Sequence, residues 1–118
     1  MRVAISTDSN QGLESAVHAH FGRCPYYVLV DVEGREITTV TSVANPYYSQ
    51  HVPETVPKFI HSQGANIMIS GGMGARAASM FAQYNIEVVT GAQGTARQAL
   101  EQYLGGDLRG YEPCSEGH

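Results

Sequence analysis

The sequence predicts an α/β domain in three α/β/α layers, with a five-stranded mixed sheet of order 3-2-1-4-5 whose second strand runs antiparallel. Three observations lead there. Apolar or β-branched runs at residues 2–6, 26–32, 36–43, 66–70 and 86–90 have the length and composition of strands. Glu33-Gly34 joins the second and third as a tight hairpin. The fourth and fifth are each followed by a glycine loop and an amphipathic helix, so they lie parallel.

The first run, Arg2–Ser6, is short and apolar and suits a buried strand. Residues 7–25 show no period and read as a long loop, a length that in compact domains signals function or mobility. Tyr26–Val32 is β-branched and aromatic, whereas Glu36–Val43 is rich in Thr and Ser and suits a sheet edge. Asn45-Pro46 breaks that strand. A helix is predicted from Glu54 to Gln63, with Pro57 in its first turn, Gly64 as its stop, and Val56, Phe59 and Ile60 on one face.

Asn66–Ser70, the loop 71–74 and a helix from Ala75 to Gln83 burying Ala78, Phe81 and Ala82 form the next unit. Ile86–Thr90, the loop 91–94 and a helix from Thr95 to Leu104 form the last, with Thr95 and Gln98 as a capping box. Its apolar stripe is Ala96, Leu100, Tyr103 and Leu104. One domain is expected over residues 1–106, followed by a loose polar tail over 107–118.

Composition narrows the function. With 118 residues, 42% hydrophobic and 15% charged, the chain reads as one ordinary globular domain. A net charge of −4 argues against non-specific binding to nucleic acid or to an anionic membrane. No apolar run approaches the roughly 20 residues that span a bilayer. The opening MRVAIS reads as a strand and leaves no room for a signal peptide, so a cytoplasmic protein is expected. Cys24 and Cys114 are then expected to be free thiols, and without a CxxC motif a structural zinc site is not supported.

The predicted strand directions bring the loops 7–25, 44–52, 70–74 and 90–94 to one edge of the sheet, where open α/β sheets bind ligands. These loops carry His18, His20, Arg23, Cys24, His51 and Met73. Two helix N-termini open there behind Gly72, Gly74 and Gly94, presenting backbone N–H groups and a positive dipole end. Arg23, Arg76 and Arg97 add positive charge. An anion that contains soft or borderline metals matches such a rim.

Several of these residues have two readings. His20 is a ligand or a cap on the second strand, and His51 a ligand or a solvated loop residue. Cys24 is a ligand or a buried thiol, and Met73 a thioether ligand or an apolar lid. His18 reads as solvated, and His61 as the outer face of a helix.

At the opening MRVAIST, the block HFGRCPYYVLVDV at 20–32, Asn45-Pro46, NIMISGGMG at 66–74 and AQYNIEVVTGAQGTARQALEQYLGG at 82–106, the chain resembles the dinitrogenase iron–molybdenum cofactor biosynthesis family. That family comprises NifX-type domains, also found at the end of NifB and in NafY. The resemblance implies a ribonuclease H-like fold and binding of an iron–sulfur or molybdenum-containing cluster, or its precursor, during cofactor assembly or storage, without catalysis. His20, Arg23 and His51 match recurring family positions, while Cys24 stands where relatives often have a small residue. The partners it implies are cofactor-assembly proteins or an ATPase.

Rival readings are weaker. Gly72-x-Gly74-x-x-Ala77 has the form of a dinucleotide fingerprint, but the next strand ends in Val89-Thr90 without the acidic residue that would hold a ribose. A nuclease needs converging carboxylates, and the fourth strand ends in Ser70-Gly71-Gly72. A protein-interaction or regulatory module without bound metal is the remaining alternative.

Overall fold

The computed structural model describes residues 1–48, 55–108 and 110. Within them the strands are β1 (Arg2–Thr7), β2 (Tyr26–Glu33), β3 (Glu36–Ala44), β4 (Ile67–Ile69) and β5 (Glu87–Val89). The helices are α1 (Thr55–Ser62), α2 (Ala75–Gln83) and α3 (Ala96–Leu104), with one 3₁₀ turn at Gly12–Glu14. The strands form one sheet of order β3-β2-β1-β4-β5. β2 is antiparallel to both β1 and β3, and β4 is parallel to both β1 and β5. The predicted topology is the observed one.

Alternation along the strands divides the apolar side chains into two layers. Val3, Ile5, Val28, Val30, Val32, Ile67, Ile69 and Val89 face one cluster, which α3 covers with Ala96, Ala99 and Leu100. Ala4, Tyr27, Leu29, Met68 and Val88 face the other, which receives Val56 and Ile60 from α1 and Phe81 from α2. The central strand β1 is buried on both faces from Val3 to Thr7, as a strand sandwiched between helices must be.

The helices follow their predicted faces with one correction. In α2 the stripe against the sheet is Ala77, Ala78 and Phe81, continued by Tyr84 just past its end, so Ala82 lies one position off the buried arc and is exposed. Pro57 is the third residue of α1, where its missing N–H costs no helical bond. The tail does not start loose. Leu108 packs on the α3 cluster, Asp107 and Leu108 donate backbone N–H bonds to the Gln102 carbonyl, and Thr90 N–H donates to the carbonyl of Gly110 at 3.1 Å.

Two features fix the outer strands. The Arg2 guanidinium holds the Asp31 carboxylate at 2.8 and 3.1 Å, and the Thr39 hydroxyl also donates to it, lacing β1, β2 and β3 together at the edge away from the glycine loops. These bonds hold the Asp31 carboxyl down at about 2. A bulge between Asp31 and Val32 shifts the β2–β3 register, so that Val32 faces Ile37 and Asp31 faces Thr39, and Thr38 is the extra residue.

Ile5→Ala, at a fully buried site in β1, is expected to lower unfolding free energy by about 2–5 kcal/mol in denaturant titration. Val40→Thr, on exposed β3, is expected to stay within about 0.5 kcal/mol. Asp31 gives a pH signature. Its folded pKa is depressed, so its stabilising contribution is complete above the ordinary value of 3.8 and is lost as pH falls from there toward about 2. Asp31→Asn is expected to flatten that part of an acid-unfolding profile.

Candidate functional site

The edge formed by the carboxyl ends of β1, β4 and β5 is built by the long loop 7–25. Residues 16–20 of that loop cross the edge as an extended segment, with bridges between Thr7 and Val17, Ala16 and Thr95, and His20 and Gly72. His18 N–H donates to the Ser6 carbonyl at 2.9 Å, and Gly71 N–H donates to the His18 carbonyl at 3.1 Å. Ala19 passes so close to Gly71 that a Cβ there would lie 2.8 Å from the Ala19 Cα. Only glycine lets the two backbones meet. The fully buried Ser70 hydroxyl donates to the Gly72 carbonyl and shapes the turn into α2.

The two helix N-termini at this rim differ. At α3 the Thr95 side chain accepts from Gln98 N–H, the Gln98 side chain accepts from Thr95 N–H, and Ala96 N–H donates to the Ser15 carbonyl at 2.8 Å. Gly94 adopts φ +80°, and its carbonyl accepts from Val17 N–H. The long loop thus seals this terminus and engages the Gly94 carbonyl. At α2 the N-cap is Gly74, with extended φ −75° and ψ 159°, and no side chain caps it. The first-turn amides of Ala75, Arg76 and Ala77 therefore face the rim without an intrahelical acceptor. Of two expected anion-binding ends, one is open.

The candidate side chains divide in the same way. His20 is partly buried and bridged to Gly72, which sets it beside the loop that opens α2. Arg23 is exposed, as is Arg76 in the first turn of α2, and neither forms an ion pair among the described residues. Arg97 is instead paired with Glu14 at 2.8 Å, so its charge is neutralised. His51 lies outside the described residues.

Cys24 and Met73 belong to the core. Both are buried in the layer beneath α1 and α2, at 0% and 2% exposure. The Cys24 thiol donates to the Phe21 carbonyl at 3.6 Å, and that carbonyl also accepts from Tyr27 hydroxyl at 2.6 Å. Burial pushes the thiol up to about 12 and raises the Tyr27 phenol as well, so neither ionises near neutrality. The Cys24 sulfur is thus held in the core and bonded to backbone rather than presented at the rim. Met73 fills a gap in the core next to the rim rather than covering it from outside.

Sequence reasoning missed Asn45 and His18. Asn45, 5% exposed, donates from its amide to the Gly22 carbonyl at 3.2 Å and the Cys24 carbonyl at 2.9 Å, while Tyr47 N–H donates to its oxygen at 2.9 Å. It ties the Phe-Gly-Arg-Cys turn to the end of β3. An Asn before a proline reads locally as a strand breaker, and nothing in sequence reveals its partners 21 and 23 residues away. His18 is only 22% exposed rather than solvated, with its ring against Asp8 and the His20 backbone.

Among the described residues, no group of three or more His, Cys, Asp or Glu side chains could hold a metal ion. The rim instead offers open amide donors, one adjacent imidazole and unpaired guanidinium charge. That set suits an anion whose outer atoms accept hydrogen bonds, with room for one nitrogen ligand.

Asn45→Ala is expected to cost about 1–3 kcal/mol, because two buried carbonyls lose their donor. Gly71→Ala is expected to cost about 1–3 kcal/mol and to displace residues 18–20, visible as shifted amide resonances there. In a Cys114→Ser background, Cys24 is expected to react with a thiol reagent only as fast as the protein opens. Fast labelling of the folded chain would contradict its burial.

Residues 1–106 match the family described as dinitrogenase iron–molybdenum cofactor. A protein of known crystal structure, PH0822, is 38% identical, with 92% of this chain and 94% of that chain aligned at a TM-score of 0.83. The apo orange protein of Desulfovibrio gigas aligns over 95% of this chain and 93% of its own with a TM-score of 0.84, and at 23% identity this likeness is one of fold. An uncharacterized protein of Methanocaldococcus jannaschii, MJ0580, is 27% identical over 114 residues, covering 95% of this chain and 92% of its own. With the predicted sheet order observed and the family match spanning every described strand and helix, the chain belongs to the dinitrogenase iron–molybdenum cofactor family.

Proposed function

We propose that this protein binds an anionic metal–sulfur cluster, iron–sulfur or molybdenum-containing, or its precursor, and carries it during cofactor assembly or storage without itself catalysing a reaction. The observation that carries this reading is the uncapped N-terminus of α2 beside His20 and Gly72, in a chain of this family. Sulfide and oxo groups on such a cluster carry negative charge and accept hydrogen bonds. The first-turn amides of α2 and the helix dipole favour that charge, by roughly 0.3–1 kcal/mol for the dipole at an exposed site.

Arg76, in the same turn, and Arg23 add positive charge at long range, and the His20 imidazole supplies a nitrogen of the borderline kind that such metals accept. His51, outside the described residues, is a second candidate nitrogen. Recipients or partners would be cofactor-assembly proteins or an ATPase. Among the described residues no helix is long and apolar enough to cross a membrane.

Anaerobic incubation with ferrous iron and sulfide, or with tetrathiomolybdate, followed by desalting and elemental analysis tests the proposal. Retained metal with charge-transfer absorption is the expected result, whereas a colourless, metal-free protein marks a docking module instead. Gly74→Asp sharpens the test. Its extended, negative-φ backbone is one that any residue adopts, so a carboxylate there is expected to cap α2, add roughly a few tenths of a kcal/mol of stability, and compete for the same amides. Uptake is expected to fall although the fold is no weaker. His20→Ala is expected to lower metal per chain in the same assay.

A further inference from the structure

The contacts of His18 set it apart from a ligand. Nδ1 of its ring lies 2.9 Å from the backbone nitrogen of His20 and 3.0 Å from the His20 carbonyl oxygen. Nε2 lies 3.6 Å from an Asp8 carboxylate oxygen, an electrostatic rather than a hydrogen-bonding distance. Both nitrogens thus face protein groups, and the two imidazole rings sit 5.9 Å apart at a tilt of 54°. The His18 backbone is anchored independently, its N–H to Ser6 and its carbonyl to Gly71. A ring held at this place closes a loop onto the residue two positions on.

We infer that His18 is a positioning residue, whose Nδ1 clamps the backbone of His20 against the β4–α2 turn while Asp8 steadies the far side of the ring. The neutral tautomer protonated at Nε2 serves both sides of the ring, since its unprotonated Nδ1 accepts from the His20 N–H and its Nε2–H faces the Asp8 carboxylate. The backbone of His20 is thereby fixed at its bridge to Gly72 before any ligand arrives. For cluster uptake this inference rests on the carrier reading, whereas the clamp itself does not.

Three variants test it. In His18→Asn the side-chain amide reproduces the place of Nδ1, in His18→Gln it reaches toward Asp8 instead, and in His18→Ala both contacts are lost. In the metal-free protein, the His20 amide resonance and its exchange protection are expected to stay near wild type in His18→Asn and to change in the other two. With tetrathiomolybdate as probe, affinity is expected to fall about 10–100-fold in His18→Ala and His18→Gln, the range for residues that orient a ligand, and to recover in His18→Asn.

A general loss of stability would not produce that ordering, and thermal unfolding of all three variants separates the two. An unmoved His20 amide in His18→Ala, or equal loss in His18→Asn and His18→Ala, overturns the inference. Should the wild type itself bind no thiometallate, the carrier reading fails, while the His20 amide still decides whether His18 holds it.

Discussion

The rim depends on a backbone contact that tolerates no side chain. Residues 16–20 lie across the carboxyl ends of β1 and β4 because Gly71 leaves the volume that Ala19 occupies. From that contact follow the bridge between His20 and Gly72, the carbonyl of His18 on Gly71, and the docking of Ala16 against the start of α3. A long loop that would otherwise cost conformational entropy is converted into an extra strand-like layer. The same crossing decides which part of the rim is open.

That selection resolves an apparent conflict with net charge. An acidic chain of charge −4 repels anions at a distance, and a site for them must act locally. Helix-terminal amides do so, since their effect is confined to the first turn, well inside a Debye length of about 8 Å at physiological ionic strength. Sealing α3 with its capping box and the Ser15 carbonyl leaves α2 as the single open terminus at this edge among the described residues. An exposed arginine on that same turn reinforces it without the partner that neutralises Arg97.

The fold was legible because it is written in local pattern. The β-branched and aromatic run of β2, the glycine loops after β4 and β5, and the Thr95–Gln98 box each depend on neighbours in sequence, and each appears where expected. The site was legible only in outline. Strand direction placed the loops at one edge, but the burial of Cys24 and Met73 depends on α1 and α2 closing over them, and the sealing of α3 on a carbonyl about 80 residues upstream. Asn45 and His18 were illegible for the same reason: polar side chains that bond to backbone leave no periodicity behind.

The irregularity between Asp31 and Val32 bears on how molecules of this protein meet one another. β3 is a long border strand with no charged residue between Ile37 and Ala44, the kind of border onto which a stranger's backbone can zip. An extra residue at Thr38 kinks that border and breaks its run of evenly spaced donors and acceptors. On the far side, β5 offers just three residues. The sheet therefore ends in two borders poorly suited to extension by a further strand.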